Sequence, residues 1–392
     1  MKALSESGWR PTPFHEFLLK VHSRCDLACD YCYMYEMPDQ TWRTRPRRMS
    51  PDVIDHVAAR VAQHAARHRL PSVRIVLHGG EPLLAGAATL AHAVTAVRRA
   101  VRPPTRVEVS LQTNAVRLDE AALTLLDELG VRIGVSLDGD AAAHDRHRRG
   151  PGGRGSHAAV RAALERLTGP RFRHRFGGLL CTVDLRNDPL DTYRALLEWK
   201  PPALDFLLPH GNWDTPPPGR EPGSPATPYA DWLIAIFDRW YDAPERETRV
   251  RVFDDVMRLL LGRRARAEGL GLGPTGTVVI ETDGSIEQSD VLKSAYEGAP
   301  ATGLHVSRDS LDAALLLPSI AARQIGVRAL APECLACPVR EVCGAGLYAH
   351  RYRSGQGFAN PSVYGPDLFR LIGHVRARMV RDIRELAVAR CG

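Results

Sequence analysis

An α/β fold built on parallel strands is predicted for this 392-residue chain. Three observations carry the prediction. Short β-rich runs alternate with amphipathic stretches from residue 14 to about 208. Several of those runs end in polar or glycine-bearing words, at the carboxyl edge where such folds bind ligands. The rhythm then stops at PHGNWDTPPPGREPGSPATP (209–228), whose proline and glycine density forbids regular structure and marks a long loop or boundary.

The strand candidates are FLLKVHS within 14–23, VRIVLHG (73–79), RVEVSLQTN (106–114), VRIGVSLDG (131–139), FGGLLCTV (176–183) and ALDFLLP (203–209). Amphipathic stretches at 51–69, 87–101, 119–129, 156–168 and 189–199 separate them. Ser50-Pro51 is a good helix start, and Asp119 and Ser156 are candidate N-caps. Such alternation means parallel strands joined by right-handed crossovers, in an open sheet or a partial barrel. After the break come helical runs near 229–242 and 251–261, then TGTVVIETDGSIEQSD (275–290), a hairpin turning at Asp283-Gly284. A helix near 309–324 and a closing helical run at 366–388 complete the chain. The expected segments are 14–208, 209–274, 275–365 and 366–392, with no internal repeat.

Apolar content of 44% allows a sizeable core. The net charge of +7 comes mostly from dispersed arginine, which reads as a solvated basic surface or as attraction for an acidic partner. No interleaved basic-aromatic module supports nucleic acid as that partner. The N-terminal MKALSESGWRPTPFHEF lacks a signal-like apolar run, and no stretch approaches a membrane span. A reducing cytoplasm is therefore expected, where eight cysteines are not a disulfide framework. Six fall in two tight clusters; Cys181 reads as a core residue and Cys391 as a tail residue.

Cys25-x3-Cys29-x2-Cys32 directly follows the first strand. Three thiolates can wrap one inorganic cluster but are one short of a closed four-cysteine site. A structural zinc would need a fourth ligand such as His22. The spacing, with the aromatic Tyr31, resembles the signature of radical S-adenosylmethionine (SAM) enzymes. That resemblance implies a [4Fe–4S] cluster whose fourth iron binds SAM, and a 5′-deoxyadenosyl radical formed by one-electron cleavage of SAM. HGGEP (78–82), with Gly79, Gly80, Glu81 and Pro82, resembles the family's GGE motif. Its glycines would permit close backbone approach, and Glu81 would accept from SAM's ammonium. Thr113 and Asn114 in QTN, and Ser136 and Asp138 in SLDG, sit where family members contact ribose and the methionine moiety. Arg148 resembles an arginine that pairs with SAM's carboxylate, although a surface arginine would look the same. LLCTV (179–183) falls at the adenine-contacting strand. The implied fold is a partial (β/α)6 TIM-like barrel.

Cys334-x2-Cys337-x5-Cys343 resembles the core of a SPASM extension, which holds auxiliary iron–sulfur clusters in peptide-modifying relatives. Three expected cysteine positions fall instead on Ser289, Leu347 and Gly365. The resemblance therefore implies a reduced SPASM-like α+β extension with one auxiliary cluster at most; a zinc site is the alternative. Asp290 stands where peptide-oxidising relatives place a proton-accepting aspartate, and its plain alternative is a surface carboxylate at a hairpin end.

The words FLLKVHSRCDLACDYCYMYEMPDQTW, LLPHGNWDTPP, GSIEQSDVLKSAYEGAP and GLYAHRYRSGQGFANPSVY look like the FxsB-type maturases of ribosomal peptides. This implies carbon–carbon crosslinking of an aromatic ring to a nearby β-carbon in a precursor peptide, a cyclophane. It also implies an external one-electron reductant, a flavodoxin or ferredoxin. His210 and Trp213 could face the peptide, or Trp213 could simply pack the loop. The alternatives are Ser/Cys oxidation of the sulfatase-maturing kind and a non-enzymatic iron–sulfur carrier, for which GGEP and SLDG would have no use.

Overall fold

The computed structural model describes every residue except 1–3, 5, 7, 222, 267 and 392, and of 388–391 the backbone only. The Cys391 side chain thus lies outside the described residues. The chain forms two compact units, 1–180 with 274–325, and 181–273 with 326–392. These do not follow the expected segments. The hairpin segment joins the first unit, and residues 181–208 join the second.

The strands are β1 (Glu16–His22), β2 (Ser72–Gly79), β3 (Arg106–Thr113), β4 (Arg132–Ser136), β5 (Phe176–Thr182), β6 (Ala203–Leu207), β7 (Arg249–Val250), β8 (Thr277–Ile280), β9 (Ser285–Glu287) and β10 (Ala301–His305). In the first unit β1 to β5 run parallel in sequential order. The registers Phe17↔Ile75 and Ile75↔Val109 are carried by side chains that are fully or almost fully buried. Helices Pro51–Arg67, Ala87–Ala100, Glu120–Glu128 and His157–Leu167 lie between successive strands, as the alternation predicts.

Local chemistry sets the helix starts. Ser50 Oγ accepts from Val53 N with Pro51 in the first turn, and Asp119 Oδ1 accepts from Ala122 N at 2.8 Å. Ser156 does not cap: its Oγ donates to the Arg148 carbonyl (2.7 Å) and meets His144 Nε2 (2.9 Å). The helix expected near 309–324 is two short ones, Leu311–Leu315 and Pro318–Ala322, because Pro318 has no N–H to continue the ladder.

The predicted hairpin forms, with Gly284 at φ +91° and β8 antiparallel to β9. It is not a separate layer. β8 pairs in parallel with β1, from Glu16↔Thr277 to Leu19↔Ile280, and the sheet continues through β9 to β10. The physical reason is burial on both faces: Val278, Val279 and Ile280 are wholly enclosed, and such a continuous apolar run needs a neighbour on each side.

In the second unit β6 pairs in parallel with β7. Helices Pro189–Leu197, Pro228–Tyr241, Arg251–Leu260 and Gly365–Cys391 surround a core containing Tyr193, Ile236, Phe237, Phe253 and Tyr364. Asp367 accepts from the backbone of Tyr229 (2.9 Å) and Ala230 (3.0 Å), tying the long C-terminal helix to the start of helix Pro228–Tyr241. Cys181 is buried, as expected of a core cysteine. No helix among the described residues is long and apolar enough to cross a membrane.

Candidate active site

The first cysteine cluster occupies the loop leaving β1, at the carboxyl edge of the parallel sheet. The backbone sets this loop. Gly80 N donates to His22 O (2.9 Å), Glu81 N to Arg24 O (3.0 Å) and Ala28 N to Arg149 O (2.7 Å). Gly80 is required here, since a Cβ would lie 2.4 Å from Arg24 O and 1.8 Å from Tyr35 Oη. A Cβ on Gly79 would lie 2.2 Å from His22 O. The two glycines let the GGEP turn close onto the cysteine loop.

Burial pushes the Cys25 thiol up to about 12 and Cys29 to about 11, and raises Cys32. Burial thus keeps the three thiols protonated when no cation is beside them, and a metal binding here would displace those protons and take the sulfurs as thiolates. Cys25 Sγ accepts from Leu27 N at 3.4 Å and from Asn114 Nδ2 at 3.5 Å. Donors aimed at sulfur suit iron–sulfur ligation. Tetrahedral zinc would draw sulfurs to about 3.8 Å apart. Among the described residues, only His64, His68 and Asp312 gather three ligand atoms within 4.8 Å, so neither cysteine trio is so compressed. His22, the candidate fourth zinc ligand, turns its Nδ1 onto the Arg24 backbone at 3.0 Å to O and 3.2 Å to N. The donor set fits a cluster with one iron left to another ligand.

Glu81 is wholly buried beside this loop. Its carboxylate accepts from Thr113 Oγ1 (2.7 Å), Asn114 N (2.8 Å) and Leu83 N (3.0 Å). Burial still outweighs these donors and pushes it up to about 7. Pro82 opens the short turn that follows. Asn114 Nδ2 also donates to Asp26 Oδ1 at 2.8 Å. At the end of β4, Ser136 Oγ accepts from Gln112 Nε2 (3.1 Å). Asp138 accepts from the Tyr31 hydroxyl and from Arg148 Nε (2.8 Å), and the Arg148 guanidinium lies 5.6 Å from the Tyr31 ring centre. Arg148 is not the surface arginine of the plain reading. Its side chain is 11% exposed and joins the cluster loop to the end of β4.

Asp290 is likewise no surface carboxylate: it is 4% exposed. Its Oδ2 accepts from Lys20 Nζ at 2.5 Å and from the Tyr33 hydroxyl at 2.9 Å. Lys20 Nζ also contacts His78 Nδ1 at 2.9 Å. Burial would raise the Asp290 carboxyl, but Lys20, then His78 and Tyr33, hold it well below the usual carboxylate range. Sequence reading missed Lys20 and His78. The one available signal was a lysine inside the apolar run FLLKVHS, a residue rarely buried without a partner.

Around Ser289 the hairpin is held by charges. Lys293 Nζ lies 3.2 Å from both Asp39 and Glu281 and 3.4 Å from Glu287, while Arg45 pairs with Glu287 (2.9 Å) and with Asp283. In the second unit burial raises the Cys334 thiol and pushes Cys343 up to about 11, with neighbouring cysteines of the trio adding to both. Arg351 donates to the Gly344 (2.6 Å), Ala345 (3.1 Å) and Gly346 (2.7 Å) carbonyls, fixing the loop after Cys343. Trp213 Nε1 donates to Pro361 O at 2.7 Å. The His210 ring stands 5.8 Å from His350 within the same unit.

Fold and loop together define a class: α/β enzymes that hold an iron–sulfur cluster by three cysteines at the carboxyl edge of a parallel sheet. Residues 19–180 match the family model described as Radical SAM superfamily. The chain carries a radical SAM domain over residues 19–180, a domain that uses SAM and a [4Fe–4S] cluster as cofactors. The serine-type anaerobic sulfatase-maturating enzyme of Klebsiella aerogenes is 26% identical over 352 residues, 88% of this chain and 82% of that one. The solved structure of native anSMEcpe with bound AdoMet and Cp18Cys peptide has the same fold. It superposes with TM-score 0.77 at 20% identity, over 95% of this chain and 100% of that one. Streptococcus suis SuiB bound to precursor peptide SuiA matches with TM-score 0.55 at 13% identity, over 92% of this chain and 77% of that one.

Proposed function

We propose that this enzyme modifies a ribosomally made precursor peptide, removing a hydrogen from a side-chain β-carbon and joining that carbon to a nearby aromatic ring. The bound cofactors supply the organic radical that takes the hydrogen. In this reading Cys25, Cys29 and Cys32 hold the cluster. Glu81, backed by Thr113 and Asn114, receives SAM's ammonium, and the Tyr31–Asp138–Arg148 group and Ser136 line the rest of the cofactor's cradle. Cys334, Cys337 and Cys343 hold an auxiliary cluster, and a flavodoxin or ferredoxin supplies electrons.

The observation that carries the proposal is Asp290, a buried carboxylate kept ionised by Lys20 in the same unit as the cysteine loop. A ring that has accepted a carbon radical must lose one proton and one electron to regain aromaticity. Asp290 takes the proton, and an oxidised iron–sulfur cluster takes the electron. The test is coexpression with a precursor encoded beside the gene. The peptide should lose two hydrogens per crosslink and resist fragmentation between the joined residues. An unchanged mass with a well-matched precursor overturns the proposal.

Serine oxidation is the second reading, favoured by similarity to the serine-type sulfatase-maturating enzyme across most of the chain. It too removes two hydrogens, so mass alone does not separate them. A hydrazide captures the aldehyde that serine oxidation leaves and does not react with a cyclophane.

A further inference from the structure

Lys20, His78 and Asp290 come from β1, the end of β2 and the turn after β9, and they converge on one ammonium. Lys20 Nζ is 2.5 Å from Asp290 Oδ2 and 2.9 Å from His78 Nδ1. Asp290 and His78 are themselves 3.9 Å apart, beyond a hydrogen bond, so Lys20 is their link. Its remaining contact is the Met34 sulfur at 3.5 Å, a weak acceptor. Exposure rises along the line: the Lys20 and Asp290 side chains are 1% and 6% exposed, and His78 is 22% exposed. A buried lysine in the middle of an apolar strand is costly in water-free surroundings. Charge neutralisation of Asp290 alone does not explain why it also reaches a histidine.

We propose that Lys20 and His78 form a proton exit for Asp290, carrying each proton taken from the peptide out to solvent. The inference rests on the reading of Asp290 as proton acceptor. The substrate's proton first makes an O–H bond at Asp290 Oδ2. That proton then passes to Lys20 as Lys20 gives one of its own to His78 Nδ1. One O–H bond breaks at Asp290, Lys20 breaks one N–H and makes another, and one N–H forms at His78, which then releases a proton to water. No electron moves in the relay; the electron lost by the substrate goes to the oxidised iron–sulfur acceptor.

The groups acting on His78 are Lys20 and Asp290, and those on Asp290 are Lys20, the His78 ring and a hydrogen bond from the Tyr33 hydroxyl. Burial first and the Lys20 charge second lower the His78 ring to about 4. Asp290 is held below that, so an added proton rests on the histidine and the carboxylate is free for the next turnover.

The test uses the cluster-loaded enzyme with its peptide and measures product formed per 5′-deoxyadenosine released. Iron content certifies the fold of each variant. His78→Gly should lower that ratio at least about tenfold. Added imidazoles should restore it to a degree that follows their pKa, which a packing role would not produce. His78→Gln should fall similarly without rescue, and keeps the test usable if the glycine variant fails to fold. A wild-type ratio in either variant, or a loss in iron-loaded His78→Gly that no imidazole restores, overturns the exit. Asp290→Asn separates the two readings: a wild-type ratio there sinks the proton-acceptor role itself.

Discussion

Glu81 shows how one side chain can link pH, folding and cofactor binding. Burial lifts its carboxyl from 4.5 to about 7 despite three hydrogen-bond donors. A raised acid favours the folded state while protonated, so its contribution is fully present below 4.5 and is lost as pH rises through about 7. Denaturant melts of SAM-free protein should therefore show stability falling between about pH 5 and about pH 7.5. This group would account for up to about 3 kcal/mol of that loss. Glu81→Gln should flatten that part of the profile. An ammonium set against the carboxylate favours the ionised form, so SAM affinity should tighten over the same window. The residue itself was legible from its motif, as were the three cysteines, because their spacing is local. Lys20 and His78 were not, because their meaning comes from Asp290, which is 270 residues from Lys20 along the chain. Arg148 was half legible: sequence gave the arginine, but only the fold brings Asp138 and Tyr31 to it.

Between elements, the same division recurs. Strand and helix positions in the first unit follow from periodicity and caps. Ser156 looks like a cap and is instead drawn to Arg148 and His144, a competition no local rule reveals. The hairpin turn was legible at Asp283-Gly284, whereas its pairing with β1 depends on which apolar strand lacked a neighbour. A second junction joins helix Pro51–Arg67 to helix Leu311–Leu315. Asp312 Oδ1 meets His64 Nδ1 at 2.6 Å and His68 Nε2 at 2.7 Å. Burial would raise Asp312, but the His68 bond, then His64, hold it below the ordinary value. Its contribution is present above the unfolded value of 3.8 and disappears as pH falls through the folded one. Asp312→Asn should cost about 1–3 kcal/mol near neutral pH and shrink the acid side of the stability profile, both read from thermal melts.

For the whole molecule, the question with a countable answer is how many clusters it holds. The second trio has the chemistry of a cluster site, with three cysteines on one short stretch and the loop after Cys343 fixed by Arg351. Replacing Cys334, Cys337 and Cys343 together by alanine should remove one cluster's iron in a Mössbauer count. SAM cleavage in the first unit should survive. Equal iron in variant and wild type would mean that the trio holds no iron. The ion network of Lys293, Asp39, Glu281, Glu287 and Arg45 around the hairpin beside Ser289 closes on protein charges alone. These charges lie far apart along the chain, so the network was invisible in the sequence.

The backbone bonds between the GGEP turn and the cysteine loop bear on how the enzyme is assembled. Gly80 N, Glu81 N and Ala28 N secure the loop without using a single cysteine side chain. Folding is therefore expected to finish before iron arrives. A zinc finger works the other way, with metal driving the fold. This protein should accept iron and sulfide as a finished chain, and should give them up to oxygen and regain them without unfolding in between.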